Sequence, residues 1–587
     1  MHRVILSAFM LALLPGATNA QDAAPVHLVE QKPVHIVQIA PNSFLVDFGR
    51  VAFGDLSLKT AKAHLDGTEK ITVRFGEALK DGRIDPHPPG SVRYSSVTVT
   101  PKGRATLIVA PPPDVRNTRP PAVLTPPQLG VLTPFRWVEI DGWPTELHAN
   151  QIHRRAAFDP TWSDDAATFH SSDPMLDQVW DLCHYSIKAT TFAGIFVDGD
   201  RERLAYEADA YLNQLGYYAG DSNPKMPRAT FDHLMKYPTW PSEWASHMVF
   251  MAYADWMQTG DIDWLKAHYD FLKTKLLTER IGPDGLVMSS PENIKHGDIV
   301  DWPPRERDGY VFTSVNTVVN AFDLRAVEEM ARLAEAFGRE DEAKKFRERE
   351  KTQQASFQKK LFDTSRGLYR DGVGTDHASL HANLFPLAFG LVPAEDTQHI
   401  AQWLASRGMA GSVYAAQYLL EDLFENGEDS TALALMTAKG DRSWRHMIDS
   451  GTTITWEAWD QKYKPNQDWN HAWGAAPANL LPRFVLGAQP LTPGWDTTLI
   501  RPHPGTLTSA QGKIPTPLGE LSVSWTQTQS FTLKLDIPKG MSAKVELPAF
   551  EGSSEIWIAE KQAKAHRQGQ WWILNESLSG SVEIEER

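Results

Sequence analysis

The hydrophobic period of this chain changes twice, and those two changes constrain its fold more than any other feature. Residues 21 to about 165 contain IVQIAPNSFLVDFGRV, KITVRFGEAL, SVTVTPKGRATLIVA and FRWVEIDGW. These segments are rich in Val, Ile, Thr and aromatics with period-2 stretches, the pattern of half-buried strands. Pro111, Pro112, Pro113, Pro120, Pro121, Pro126 and Pro127 crowd one stretch, so 111–128 reads as a loop. From about 170 the apolar spacing shifts to three and four. SSDPMLDQVWDLCHYSIKATT opens with Asp173 as an N-cap and Pro174 at the first helical position. Val315 to Phe337 reads as a helix closing on Gly338, followed by the charged helix EDEAKKFREREKTQQASFQKKLF. Further helical stretches cover 243–258, 378–391, 397–406, 411–425 and 429–438. After about 490 strands return in WDTTLIRPHP, GELSVSWTQTQSFTLKLDIP, AKVELP, SEIWIAE, QWWIL and SGSVEIEE. The order predicts an N-terminal β-sandwich over 21–165, a helical toroid over 166–490 and a small C-terminal β-sandwich over 491–587. No fixed-period repeat marks the helical part, which argues against a repeat solenoid.

Composition removes several function classes. Hydrophobic residues make up 42% and charged residues 22%, as in a soluble globular protein. The formal charge of −15 is wrong for a nucleic-acid binder, which needs clustered Lys and Arg against phosphates. The single cysteine, Cys183, permits no internal disulfide and no Cys-based metal site. Twenty tryptophans suit sugar-facing platforms, though they also fill cores. Residues 1–20, MHRVILSAFMLALLPGATNA, have a basic start and an apolar run from Val4 to Leu14 too short to span a bilayer. Thr18 and Ala20 are small residues at −3 and −1 of a cleavage point before Gln21. That is a secretory signal peptide, and it predicts a periplasmic or secreted protein with no membrane segment after cleavage. The motifs HExxH, GxxxxGK[ST] and GxSxG are missing.

Candidate chemistry gathers in two segments of the helical part. The first is VDGDRERLAYEADAY, 197–211. Asp198-Gly199-Asp200 is turn chemistry. If the remainder is helical, Glu202, Tyr206 and Asp209 fall at i, i+4 and i+7 on one face, between Arg201 and Arg203. Crowded carboxylates raise one another's pKa and a nearby Arg holds one ionised, so such a face can keep a proton for acid catalysis. A solvated helix start laced with salt bridges has the same composition. The second segment runs SGTTITWEAWD, 450–460, and DWNHAWG, 468–474. Glu457 between Trp456 and Trp459 can act as a general base on water, and His471 can bond a sugar hydroxyl. A Trp-rich core with a salt-bridged Glu457 reads equally well. Trp240 with Trp244, and Trp302 with Arg305 and Arg307, are candidate sugar-facing loops or simple loop packing.

The paired segments resemble the signatures of glycoside hydrolase family 78, the α-L-rhamnosidases. Asp198, Arg201, Glu202, Arg203, Tyr206 and Asp209 match the first motif; Gly451 to Trp459 and Asn470 to Gly474 match the second. FRWVEIDGWP and LIRPHP are similar to the edges of that family's flanking β-domains, so the resemblance covers most of residues 40–510. It implies an (α/α)6 barrel and inverting hydrolysis without cofactor or metal. It implies Glu202 as general acid and Glu457 as general base, with Asp198, Arg201, Asp209 and His471 binding rhamnose. An inverting pair stands about 6.5–9.5 Å apart to admit a water. The chain departs from the family where Gly199-Asp200 replaces Cys-Pro and Ala205-Tyr206 replaces Gly-Trp, in a loop one residue shorter. DGDRERLAYEADAY looks more like the divergent branch acting on rhamnose α-1,4-linked to glucuronic acid, as in gum arabic and arabinogalactan, and Arg305 and Arg307 near Trp302 suit a glucuronate. The partner expected is therefore a rhamnose-containing glycan. Two other readings stay open: another glycosidase, or a lyase using Tyr206 and His471, on a similar toroid, and a non-catalytic carbohydrate-binding protein.

Overall fold

The computed structural model describes residues 26–60, 69–103, 106–550 and 552–587. The expected signal peptide lies outside the described residues.

The N-terminal part is one eight-stranded, hydrogen-bonded antiparallel sheet. Its order is His27–Gln31, Ile152–Phe158, Ser43–Lys59, Thr133–Asp141, Ile71–Gly76, Tyr94–Val99, with His35–Ala40 and Thr106–Val109 also paired to Ser43–Lys59. The 17-residue strand Ser43–Lys59 is why two expected layers appear as one sheet. Its first half pairs with His35–Ala40 and its second with Ile152–Phe158 and Thr106–Val109, across a register shift between Asp47 and Ala52. Alternate residues Ile71, Val73 and Phe75 face a core of Phe44, Val46, Phe135 and Ile140. The Pro-rich stretch is largely loop, broken by one helical turn at Val115–Thr118 and a short turn at Pro127–Leu129.

The helical part begins as its capping signal requires: Asp173 accepts from the Met175 N–H and Pro174 opens Pro174–Ala189. Contacts then run in a closed ring. Glu207–Gly220 packs on His247–Thr259, that on Thr317–Ala336, then Leu380–Ala388, Ala415–Glu425, Pro477–Leu480 and back to Glu207–Gly220. Burial separates inner from outer helices. Thr317–Ala336 is buried along most of its length, whereas Glu340–Leu361 buries only Ala343, Gln353, Phe357 and Leu361. The charged sequence of the second helix is therefore the outer face of a two-layer wall. Cys183 is buried in this core, and burial pushes its thiol well above the ordinary value, leaving it inert. Among the described residues no helix is long and apolar enough to cross a membrane.

The C-terminal part packs a seven-stranded sheet and a five-stranded sheet. Phe531–Ile537 alternates buried Phe531, Leu533, Leu535 and Ile537 with outward Thr532, Lys534 and Asp536. Thr168–Ser171, which the periodicity assigns to the helical part, is instead the edge strand of the seven-stranded sheet, paired with Ser509–Thr516.

Candidate active site

The segment 198–206 is a turn rather than a helix. Asp198 and Leu204 close it: the Asp198 N–H donates to the Leu204 carbonyl at 2.8 Å, and the Leu204 N–H donates to Asp198 Oδ1 at 2.8 Å. Gly199 sits at φ 101° and Arg203 at φ 55°, conformations no helix contains. The helix starts at Glu207 with Tyr206 as its N-cap. Glu202 and Tyr206 therefore meet across the turn, the Tyr206 hydroxyl donating to Glu202 Oε2 at 2.8 Å.

The second segment folds as two adjacent stretches. The His471 N–H donates to the Thr455 carbonyl at 2.9 Å, and the Thr455 hydroxyl donates back to the His471 carbonyl at 2.8 Å. The Trp473 indole donates to the Glu457 carbonyl at 3.0 Å. Thr455 is anchored to the first helix, its N–H donating to Ser186 Oγ at 2.9 Å.

Five hydrogen bonds join the two segments. The Arg201 N–H donates to Asp468 Oδ2 at 3.1 Å, and the Asp200 N–H to Asn470 Oδ1 at 2.7 Å. Arg201 Nε and Nη2 reach Glu457 Oε2 and Oε1 at 3.2 and 2.6 Å, while Nη1 donates to Glu202. His471 Nε2 stands 2.6 Å from Asp209 Oδ1. One guanidinium thus holds both candidate catalytic carboxylates.

A cavity of about 260 Å³ opens over them. It is smaller than the roughly 300–1,000 Å³ that drug-sized ligands occupy, which suits about one sugar ring. Asp198, Arg201, Glu202, Tyr206, Asp209, Glu457 and His471 line it from the two segments, with Trp240 and Trp302 from loops and Trp244 from the short helical turn Glu243–Ser246. Ile299 and Trp473 also line it. Trp473 belongs to the aromatic-rich second motif; nothing in the sequence marks Ile299. Trp456, Trp459 and Arg305 do not reach the cavity. Trp456 flanks Glu457, so its side chain turns the other way and stacks on Trp469 at 5.2 Å. Trp459 is fully buried, donating to the Gly411 carbonyl at 2.9 Å. Arg305 donates to the Lys462 carbonyl at 2.8 Å.

Electrostatics divide the carboxyls. Burial raises Glu202, but the Arg201 charge and bonds from Tyr206 and Arg201 outweigh it and hold Glu202 below the usual range. Burial and the Asp468 charge push Glu457 up, against His471, Arg201 and Lys464, whose Nζ lies 3.3 Å from Glu457 Oε1. Burial, with Glu202, Asp468 and Asp209 nearby, pushes Asp198 well up against the His471 charge. Asp209 and Asp468 hold the buried His471 as an imidazolium, well above its ordinary value despite desolvation. Glu457, Asp468 and His471 bring ligand atoms within 4.8 Å of one another, as a metal site would. Arg201 and Lys464 pair with Glu457, and the His471 imidazolium pairs with Asp209 through Nε2 and faces Asp468 through Nδ1 at 3.6 Å, so each member of the trio has an ionic partner.

A sheet domain, a ring of helical hairpins with a carboxylate-lined mouth, and a second sheet domain together define a glycosidase class. The family model described as the bacterial α-L-rhamnosidase six-hairpin glycosidase domain matches residues 164–485. Companion models for that family's concanavalin-like and C-terminal domains match 37–158 and 487–556. The chain belongs to this bacterial α-L-rhamnosidase family. An α-L-rhamnosidase of Alteromonas sp. (strain LOR) is 24% identical over 566 residues, 89% of this chain and 58% of that protein. One from Formosa agariphila is 25% identical over 333 residues, 53% of this chain and 34% of that protein. The chain thus spans little more than half the length of these curated relatives, or less. Among solved structures, α-L-rhamnosidase from Dictyoglumus thermophilum superposes with a TM-score of 0.79 at 18% identity, covering 97% of this chain and 64% of that one. The Streptomyces avermitilis enzyme complexed with L-rhamnose gives 0.76 at 18% identity, covering 98% and 55%. These likenesses establish the fold.

Proposed function

We propose that this protein is an α-L-rhamnosidase that removes terminal α-L-rhamnose from glycans with inversion, in an (α/α)6 barrel whose inner wall is the closed helical ring. The observation that carries it is the sharing of Arg201 between Glu202 and Glu457 at the floor of a one-ring cavity. Two carboxylates on one guanidinium are brought to one sugar ring, as a pair of reacting carboxyls requires, and inversion is what the family resemblance implies for them. Glu202 protonates the departing oxygen and Glu457 activates the water. Arg201 holds Glu202 below the usual range, so the acid role requires that contact to open around the bound sugar. Asp198, pushed up by burial beside Glu202, is the nearest carboxyl able to supply that proton. Asp209 and His471 fix the sugar hydroxyls, and Trp240, Trp244 and Trp302 supply apolar faces. The substrate we favour is rhamnose α-1,4-linked to glucuronic acid, and the site of action is the periplasm or exterior.

The protonation directions alone favour the reverse assignment, with Glu457 as acid. One experiment separates the two. An aryl rhamnoside with a good leaving group needs no acid. Glu202→Gln should keep most of its rate on it while losing natural glycans, and Glu457→Gln should lose both. The opposite pattern exchanges the roles. No release of rhamnose from any substrate, gum arabic included, would sink the activity, and an ultraviolet-absorbing unsaturated product would make the protein a lyase.

A further inference from the structure

Both segments that build the cavity are gripped from one side by the N-terminal sheet domain. Glu77 follows the strand Ile71–Gly76 and is buried. Its Oε1 accepts the Arg93 N–H at 2.7 Å and its Oε2 accepts the Asn470 amide at 2.9 Å. The carbonyl oxygen of that same Asn470 amide takes the Asp200 N–H at 2.7 Å. Arg93 donates through Nε to Asp200 and through Nη1 to Asp114. Asp200 is fully buried and receives Arg203 Nε and Nη2 on its other oxygen at 3.0 and 2.6 Å. Arg203 in turn donates to the Leu132 carbonyl at 2.6 Å, and its own carbonyl accepts the Val123 N–H at 2.8 Å. Beyond Asn470, the Ser91 N–H donates to the Gln467 carbonyl at 2.9 Å.

The positions of these contacts matter more than their number. Asp200 is the neighbour of Arg201, and Asn470 is the neighbour of His471. Pinning the backbone at 200 and 470 sets the directions in which Arg201, Glu202 and His471 leave the chain. A buried network of charges is poor value as stability alone, since apolar packing of equal volume does as well. Its worth is in fixing one geometry, and displacements of about 1 Å at a reacting site cost about 100-fold in rate.

We propose that Arg93 and Glu77 are positioning residues for catalysis, so that the N-terminal sheet domain is a working part of the active site. This rests on the reading of Glu202 and Glu457 as the reacting carboxyls. The test uses the full-length chain. Rhamnose release by the unaltered protein, abolished on glycans in Glu202→Gln and Glu457→Gln, is the control; its failure counts against that reading rather than this one. With the control in place, Arg93→Ala should lower kcat about 100-fold with KM changed less than about threefold. Guanidinium added at millimolar concentration should restore part of the rate by filling the vacated place beside Asp200. Glu77→Gln offers one acceptor oxygen where two are used, and should lower kcat by about tenfold with KM again nearly unchanged. If Arg93→Ala does not fold, Arg93→Lys carries the same comparison, because it keeps the charge beside Asp200 but cannot span to Asp114. Folded variants with unaltered kcat would overturn the proposal. So would a loss of rate that tracks melting temperature in every variant and ignores added guanidinium.

Discussion

Arg201 grips Glu457 in a fork, one guanidinium nitrogen on each carboxylate oxygen at 3.2 and 2.6 Å, although the two residues lie 256 positions apart. Glu457 is 1% exposed, so this pair is desolvated and its loss is expensive. Arg201→Ala leaves Glu457 with Lys464 and the His471 imidazolium as counter-charges but without its hydrogen-bonded fork, and should destabilise the fold by about 3 kcal/mol. Arg201→Lys should recover part of the stability but little of the rate, since an ammonium cannot span two carboxylates. Chemical denaturation and kcat/KM on the three proteins read the two effects separately.

Lys464 offers a cleaner probe of the base. Its Nζ stands 3.3 Å from Glu457 Oε1 and 4.9 Å from the Trp302 ring centre, and its charge opposes the burial that lifts Glu457. Lys464→Met keeps the stem packed and removes the charge. Glu457 then rises further, and a carboxylate base must be ionised to work. The acidic limb of the kcat/KM profile should therefore move to higher pH in the variant, with the alkaline limb unmoved. An acidic limb that stays in place would detach Glu457 from the base role.

How much of this was legible depends on what kind of contact makes each part. The three-part architecture follows from period, because burial on one face of a strand or helix writes itself into spacing. Asp198, Glu202, Glu457 and His471 stand out because their chemistry is concentrated in two short motifs. The turn was legible at Asp198-Gly199-Asp200 but its continuation to Tyr206 was hidden, since Arg203 takes a positive φ held by its bonds to Asp200 and to the distant Leu132 carbonyl. Trp456 and Trp459 drew attention by type, yet their direction depends on a local bend that composition does not record. Lys464, Glu77 and Arg93 carry no motif: Lys464 lies between the two stretches of the second segment and matters only because the chain folds it back on Glu457, while Glu77 and Arg93 matter through partners in another domain. Thr168–Ser171 was too short for period to assign it to a sheet completed some 340 residues later.

The imidazolium of His471 ties the helix Glu207–Gly220 to the second segment through Asp209 at 2.6 Å, with Asp468 on its other side at 3.6 Å. Its folded pKa is raised above the unfolded value of about 6.5. The stabilisation from this charge is therefore complete below about pH 6.5 and is lost as pH rises through the folded value. His471→Asn should lower the melting temperature most at pH 6, and the gap to the unaltered protein should narrow in alkaline buffer. A gap that widens with pH would contradict the charged state of His471. His184 and His247 act in the other direction. Burial depresses them to about 4 and about 3, so both fold neutral, and stability should fall as pH drops below about 6.5, where the unfolded chain gains their protons.

Gly199 is the position where backbone geometry and chemistry meet most closely. It sits at φ 101°, and a Cβ there would stand 2.7 Å from both the Asn470 carbonyl oxygen and Asp468 Oδ2. Gly199→Ala must therefore push 198–203 away from 468–470, stretching the bonds that bring Arg201 to Glu457. Gly451 is the matched control, at φ 82° with nothing within 4 Å of its would-be Cβ. Backbone strain alone costs each variant about 1–3 kcal/mol. The melting temperatures of the two should thus fall by amounts of the same order. The rates should part company: Gly451→Ala should keep kcat within about threefold, while Gly199→Ala should lose about 100-fold, as a displacement of about 1 Å at the reacting groups predicts. Equal rates in the two variants would mean that the spacing of the turn against 468–470 does not govern catalysis.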